Sequence, residues 1–325
     1  MNIKSILIIS MISMLCFSMT ACTGLGAESE IAENSSAASE QSVIEDAEEE
    51  RQDREATLAV DETEQEENEI TQEEEETMTS ENTNSSTLET TTYNVNGVEF
   101  KMIYVEAGTF TMGSDNTNVA FSEFPAHQVT LTQDYLMGET EVTEALWYAV
   151  MGSGGGSVTL PMTSVTWNDA HEFIEALNRI AHEQGLIPDA VNFHLPTEAQ
   201  WEFAAKGGNL SKGYLYSGSN NIDEVAVTRE NSGSGSPIDV KTKEPNELGL
   251  YDMSGNAYEW VDDYAGSYSS EAQTDPQNTT PSNSYVKRGG SNYHNFNSED
   301  YLFTTTGRYF YGSTDWTIGF RICLY

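Results

Sequence analysis

The chain has 325 residues, and 53 Asp and Glu against 14 Lys and Arg leave a formal net charge of -39. That balance excludes nucleic acid as a partner, because no basic stripe is available to neutralise phosphates. Of the three cysteines, Cys16, Cys22 and Cys323, only one lies beyond residue 22, so the body of the chain can hold no internal disulfide.

In chain order, residues 1–22 come first: Lys4 supplies a positive start, an apolar run follows, and Thr20-Ala21-Cys22 closes it. The run is too short to span a bilayer stably and reads as an export signal. It resembles a bacterial lipoprotein signal, which implies that Cys22 is lipidated and that the exported chain is anchored in the cell envelope facing outward. The alternative is an ordinary secretory signal cleaved nearby.

Residues 23–92 carry roughly two dozen acidic side chains and almost no aromatics, with runs such as Glu48-Glu49-Glu50 and Glu73-Glu74-Glu75-Glu76. Such a segment cannot bury enough apolar surface to offset its ordering entropy, so it is expected to be a disordered tether.

Residues 93–325 are rich in Trp, Tyr, Phe and Gly and are long enough for one large domain. Alternation through Val98, Phe100, Met102 and Tyr104 predicts a strand entering a turn. Val129-Thr130-Leu131-Thr132 and Asp134-Tyr135-Leu136-Met137 are expected to be further strands of the same sheet. Thr143 is a candidate N-cap for a helix that ends at Gly152, and Thr166 for a longer one that ends near Gln184. Along that second helix, His171, Glu175, Asn178 and His182 line one face. His171 and His182 are separated by about 16 Å at 1.5 Å per residue, too far for one metal ion, so the row reads as a solvated face.

The glycine cluster at 152–156 lacks the lysine of a phosphate loop and reads as surface. Pro196-Thr197-Glu198-Ala199-Gln200 predicts a capping box opening a third helix, stopped by Gly207-Gly208. Residues 249–260 are too dense in special backbone residues for a plain strand or helix and read as a structured loop. Tyr285-Val286-Lys287-Arg288 and Ile318-Gly319-Phe320-Arg321-Ile322 are the expected late strands. The class is α+β with low regular content.

Taken together, the ordered series Gly108-Thr109-Phe110-Thr111-Met112-Gly113, Pro125-Ala126-His127, Glu141-Val142-Thr143, Leu195-Pro196-Thr197-Glu198-Ala199-Gln200-Trp201-Glu202, residues 249–260, Arg288-Gly289-Gly290-Ser291 and Gly319-Phe320-Arg321 resembles the formylglycine-generating enzyme (sulfatase-modifying factor) family. The resemblance implies a compact, loop-rich variant of the C-type lectin fold. Enzymes of that family oxidise a client cysteine with copper(I) held by two cysteines; at the corresponding positions stand His294 and Glu299. Copper(I) is soft and needs thiolates, so no copper is expected and no catalytic residue is assigned. A replacement metal at His294 and Glu299 is the weaker alternative. The family's calcium loop matches residues 249–260, implying ligands from Asp252, from Gly255 and Ala257 through carbonyls, and from Glu259; hard oxygen donors suit calcium.

Between Ser291 and Gly319 the chain is polar and aromatic. Asn292, Tyr293, His294, Asn295, Phe296, Tyr309, Tyr311 and Trp316 are the candidate ligand contacts. The segment resembles the variable region of lectin-fold proteins diversified by retroelements. The leading expectation is therefore a surface-anchored, non-catalytic recognition module for an extracellular ligand or protein. A sulfatase-modifying oxidoreductase is the alternative, and a purely structural envelope protein the third reading.

Overall fold

The computed structural model describes residues 89–116, 121–152, 155–233, 235–295 and 300–325. The signal with Cys22, the tether up to residue 88, Phe296 and Glu299 lie outside the described residues. The first two strands, β1 (Thr90–Val95) and β2 (Val98–Val105), form a hairpin closed by Asn96-Gly97, both at positive φ. That dipeptide suits a two-residue turn because both positions need left-handed backbone. β1 takes in Thr90–Thr92, which composition assigns to the tether; three β-branched residues paired with β2 extend the fold to them.

Next come β3 (Gly108–Met112), β4 (His127–Leu131) and β5 (Tyr135–Gly138). The strands at 129 and 135 do not share a sheet, contrary to expectation. β4 pairs with β3, whereas β5 pairs with β2. The corner between them is built by two aspartates. Asp134 accepts the Ala107 N–H at 2.7 Å and the Tyr104 hydroxyl at 2.6 Å, and Asp275 accepts the Thr132 N–H and hydroxyl at 2.8 and 2.6 Å.

All three expected helices form. α1 (Glu144–Met151) is capped by Thr143 and stopped by Gly152 at φ 81°. α2 (Trp167–Glu183) opens on a Thr166–Asp169 capping box, and its Phe173, Leu177 and Ala181 stripe enters the core. Its opposite face is less solvated than the sequence suggests: Asn178 clamps both backbone groups of Phe193, and His171 reaches Asp262 at 3.1 Å. After β6 (Phe193–His194) comes α3 (Glu198–Ala205), opened by reciprocal Thr197–Gln200 bonds of 3.2 and 2.9 Å. α3 is buried nearly all round, including Glu198 and Glu202.

Two single-turn helices, α4 (Ile222–Val225) and α5 (Arg229–Ser232), precede β7 (Tyr258–Tyr264), β8 (Gln273–Thr274), β9 (Tyr285–Arg288), β10 (Arg308–Tyr311), β11 (Ile318–Phe320) and β12 (Cys323–Leu324). Among the described residues the strands make three sheets, ordered β1-β2-β5-β12-β6, β10-β9-β7-β11 and β3-β4-β8. One apolar cluster packs α1 and α2 against β7 and β11, and a second surrounds Trp201 and Phe203 of α3. No helix among the described residues is long and apolar enough to cross a membrane.

Because Thr197 satisfies an otherwise orphaned amide at the start of α3, Thr197→Ala is expected to cost about 1 kcal/mol of unfolding free energy in urea titration. The Glu198 N–H already donates to Asp263 at 2.8 Å, so a loss near zero would mean that Asp263, not Thr197, holds this helix start.

Candidate functional site

Residues 249–257 are irregular, and β7 takes Tyr258, Glu259 and Trp260, which the sequence places in the loop. Asp252, Gly255 and Asn256 have φ of 58°, 86° and 57°. A Cβ on Gly255 would stand 2.3 Å from the Val227 carbonyl oxygen, so only glycine fits this crossing. The loop is tied on both sides: the Gly255 N–H donates to Gly289 at 2.7 Å, Asn256 to Val227 at 2.9 Å, and Asn292 to Asn256 at 3.0 Å.

Glu259 is not a free cation ligand. Arg321 grips its carboxylate with Nε and Nη2, both at 2.6 Å, and the Trp201 indole N–H donates at 2.7 Å. Strand pairing of β7 with β11 brings these partners together, a long-range event that no local pattern announces. Two fully buried residues nearby, Asp252 and Glu141, each keep a carboxylate oxygen without a donor, Oδ1 and Oε2 respectively. Burial, then the charge of Asp252, then that of Glu259 push the Glu141 carboxyl well above the usual range. Burial likewise lifts Asp252 to about 6, against the Lys241 N–H and Arg321.

Two buried oxygens that both resist ionising are an unmet demand for positive charge. No group of three or more His, Cys, Asp or Glu side chains forms a metal cluster among the described residues. A cation here would rest on Asp252 and Glu141 with backbone carbonyls, a hard-oxygen set. The expected carbonyl donors, Gly255 and Ala257, belong to the same loop.

Copper does not fit. Cys323 is the one thiol after residue 22, and it is buried in β12 with Sγ directed at the His194 carbonyl at 3.6 Å. Burial pushes that thiol well above its usual range, which keeps it protonated. His294 is half-buried, with its ring edge on Tyr258 at 5.5 Å and its carbonyl bonded by the Arg229 N–H.

Of the expected ligand contacts, Tyr293, Tyr311 and Trp316 are 49%, 38% and 46% exposed. Tyr293 and Trp316 meet edge to face at 5.3 Å, and the Arg229 guanidinium lies 5.6 Å from the Tyr293 ring. Tyr309 sits half-buried beside Tyr258, and Asn295 is half-buried. Asn292 is a correction: it is fully buried, drawn inward by its bond to Asn256, with both side-chain amide atoms unpartnered.

Sequence reading missed Lys287, whose ammonium lies between the rings of Tyr258 at 3.8 Å and Tyr311 at 4.7 Å, with Asp315 at 3.7 Å. Burial lowers its pKa, and Asp315 opposes that. The available signal was a lysine placed between apolar and aromatic residues in a predicted strand.

Comparisons with known proteins agree with this architecture. The model of the sulfatase-modifying factor enzyme 1-like domain matches residues 88–324. A chaperone protein LppX of Paenibacillus barcinonensis is 33% identical over 204 residues, covering 49% of this chain and 70% of that protein. The formylglycine-generating enzyme of Streptomyces coelicolor is 30% identical over 149 residues, covering 40% of this chain and 41% of the enzyme. The solved structure of Treponema denticola variable protein 1 superposes with a TM-score of 0.61 at 28% identity, covering 72% of this chain and 98% of that one. The expected α+β, loop-rich fold of these relatives is the one observed.

Glu259→Gln is expected to destabilise the domain by about 3–5 kcal/mol, because it strips the compensating charge from buried Arg321. Denaturant midpoints should fall by the same amount in calcium and in EDTA; a loss seen only in calcium would restore Glu259 to the ligand set.

Proposed function

The chain belongs to the sulfatase-modifying factor enzyme 1-like domain family, and from that premise we propose that it is a non-catalytic recognition module. Its binding face is the exposed cluster of Tyr293, Tyr311 and Trp316, with Tyr309 and His294 beneath. One observation carries the proposal: the family's thiol pair is replaced by His294 and Glu299, while a set of rigid aromatic rings stands exposed on the same segment. Aromatic side chains supply large contact area at little conformational cost, and such residues dominate binding energy at interfaces. The similarity to a chaperone protein supports a protein as the bound ligand.

We also propose that the module is exported and held at the membrane by a lipid on Cys22, with the acidic residues 23–88 as its tether. Calcium is proposed as the structural cation, held by Asp252 and Glu141 together with the carbonyls of Gly255 and Ala257. When bound, it would supply positive charge to two buried carboxyls; the loop then fixes where residues 289–292 lie.

Two outcomes test these readings. The purified chain given copper(I), oxygen and a cysteine peptide of the sulfatase type should leave the peptide mass unchanged; formylglycine formation would restore the oxidoreductase reading. Trp316→Ala and Tyr293→Ala should each weaken capture of the surface partner at least about tenfold without moving the thermal midpoint.

Calcium should raise the thermal midpoint, and more so at pH 8 than at pH 5. Asp252 and Glu141 have raised folded-state pKa values. In the metal-free protein the stability they contribute is present in acid and is lost as pH rises through about 6 at Asp252. Calcium restores it where they are ionised. Asp252→Asn combined with Glu141→Gln should abolish the gain, and an unchanged gain would place the cation elsewhere.

A further inference from the structure

A cleft of about 540 Å³ lies between β4, the start of α3 and residues 266–278. Its wall includes His127, Glu198, Asp263, Tyr268, Gln277 and Arg308. Neither His294 nor the loop at 249–257 is part of its wall.

The charge of the wall does not balance. Arg308 is spent on Glu198, donating from Nε and Nη2 at 2.6 and 2.7 Å, and on the carbonyls of Ser122 and Gly266 at 3.0 and 2.9 Å. The Tyr268 hydroxyl adds a third donor to Glu198 at 3.1 Å, and its ring lies 3.9 Å from the guanidinium. Asp263 has no such partner. Its two oxygens accept only the backbone N–H groups of Glu198 at 2.8 Å and Asn278 at 2.6 Å. Each oxygen keeps a second lone pair. Burial, then the charge of Glu198, lift its carboxyl to about 7, with Asp262 adding to the rise.

His127 makes the same demand. Its Nδ1 stands 3.1 Å from the Pro125 carbonyl, which can only accept, so Nδ1 carries the proton and Nε2 presents a bare lone pair. His127 is 4% exposed, its ring lies against Tyr268 at 4.9 Å, and Nε2 has no partner. A buried acceptor without a donor is destabilising. The wall of the cleft therefore holds a carboxylate with no cationic partner and a buried imidazole nitrogen with no donor.

We propose that this cleft binds the primary ammonium group of a small organic cation through Asp263 and Nε2 of His127. An ammonium carries donors and charge with no acceptor, which is the complement of this wall. A neutral polyol would leave the charge of Asp263 unmet. A quaternary ammonium would leave both acceptors unmet.

The test follows the ring-proton resonances of Tyr268, which lines the cleft against His127 and is kept in every variant, in the full chain at 0.15 M KCl, where diffuse attraction to the acidic surface is screened. Ethanolamine, ethylene glycol and tetramethylammonium are titrated in turn. The expected result is a saturable shift with ethanolamine alone, weakened at least about tenfold between pH 8 and pH 5.5 as Asp263 gains its proton. Asp263→Asn and His127→Phe should each weaken it to a similar degree. Asp263 also receives the first N–H of α3, so if Asp263→Asn fails to fold, the pH profile of the parent and the His127→Phe titration decide. An equal shift with ethylene glycol, equal binding of tetramethylammonium, or no saturable shift with any probe would each overturn the proposal.

Discussion

The arrangement on which the rest of the domain depends is the grip of Arg321 on Glu259. Both side chains are fully buried. The same guanidinium donates to the Gly138 carbonyl at 3.0 Å and the Tyr251 carbonyl at 2.9 Å, while Glu259 also accepts from Trp201. One ion pair thus joins the end of β5, the 249–257 loop, β7, the residue after β11 and the central helix α3. Taking two charges out of water costs nearly as much as their attraction returns. Its value is therefore geometric: any other packing of these five segments leaves a charge buried and alone.

The same logic is repeated twice on α3. Glu202 is paired with Arg288 and with Lys206 at 2.7 Å, and Glu198 with Arg308. Although burial alone would raise the Glu202 carboxyl, Lys206 and Arg288 hold it below the usual range. The three arginines come from β9, β10 and the residue after β11, so a helix with little amphipathic character is oriented by carboxylates rather than by a greasy stripe. Irregular backbone is then satisfied locally. Asn246 alone donates to Ala204 and Ser217 and accepts from Leu248 and Leu250, which lets long loops run at the surface of a domain with short strands.

What could be read from the sequence was what is local. Thr143, Thr166 and Thr197 announce their helices because a cap is a contact across three residues. The order of short motifs carries the family for the same reason. The partition of β4 and β5 into different sheets was not readable, since the decisive bonds run from Thr132 to Asp275, far along the chain. The family resemblance makes Glu259 a calcium ligand; the fold supplies Arg321 as its partner. Asn292 looked like a surface contact because composition does not say which members of a polar-aromatic run turn inward. Glu141, the better candidate beside Asp252, stands in a stretch whose local signal is the start of a helix.

The aromatic face bears on what it can select. The space between Tyr258 and Tyr311 that would suit a ligand cation is already filled by Lys287, and Asp315 holds that lysine in place. An incoming cation would have to displace a buried, paired ammonium, which is unfavourable. The free surface is instead the outward sides of Tyr293, Tyr311 and Trp316: Tyr293 and Trp316 pack on each other, Arg229 lies by Tyr293, and Lys287 lies by Tyr311. Rings already ordered lose little freedom on contact, so more of the buried area is realised as affinity. If it is the binding face proposed above, such a surface would favour an apolar or aromatic protruding group ringed by hydrogen-bonding partners. The cations at these rings, Lys287 and Arg229, both belong to the protein itself, so on the proposed reading shape would select more than charge.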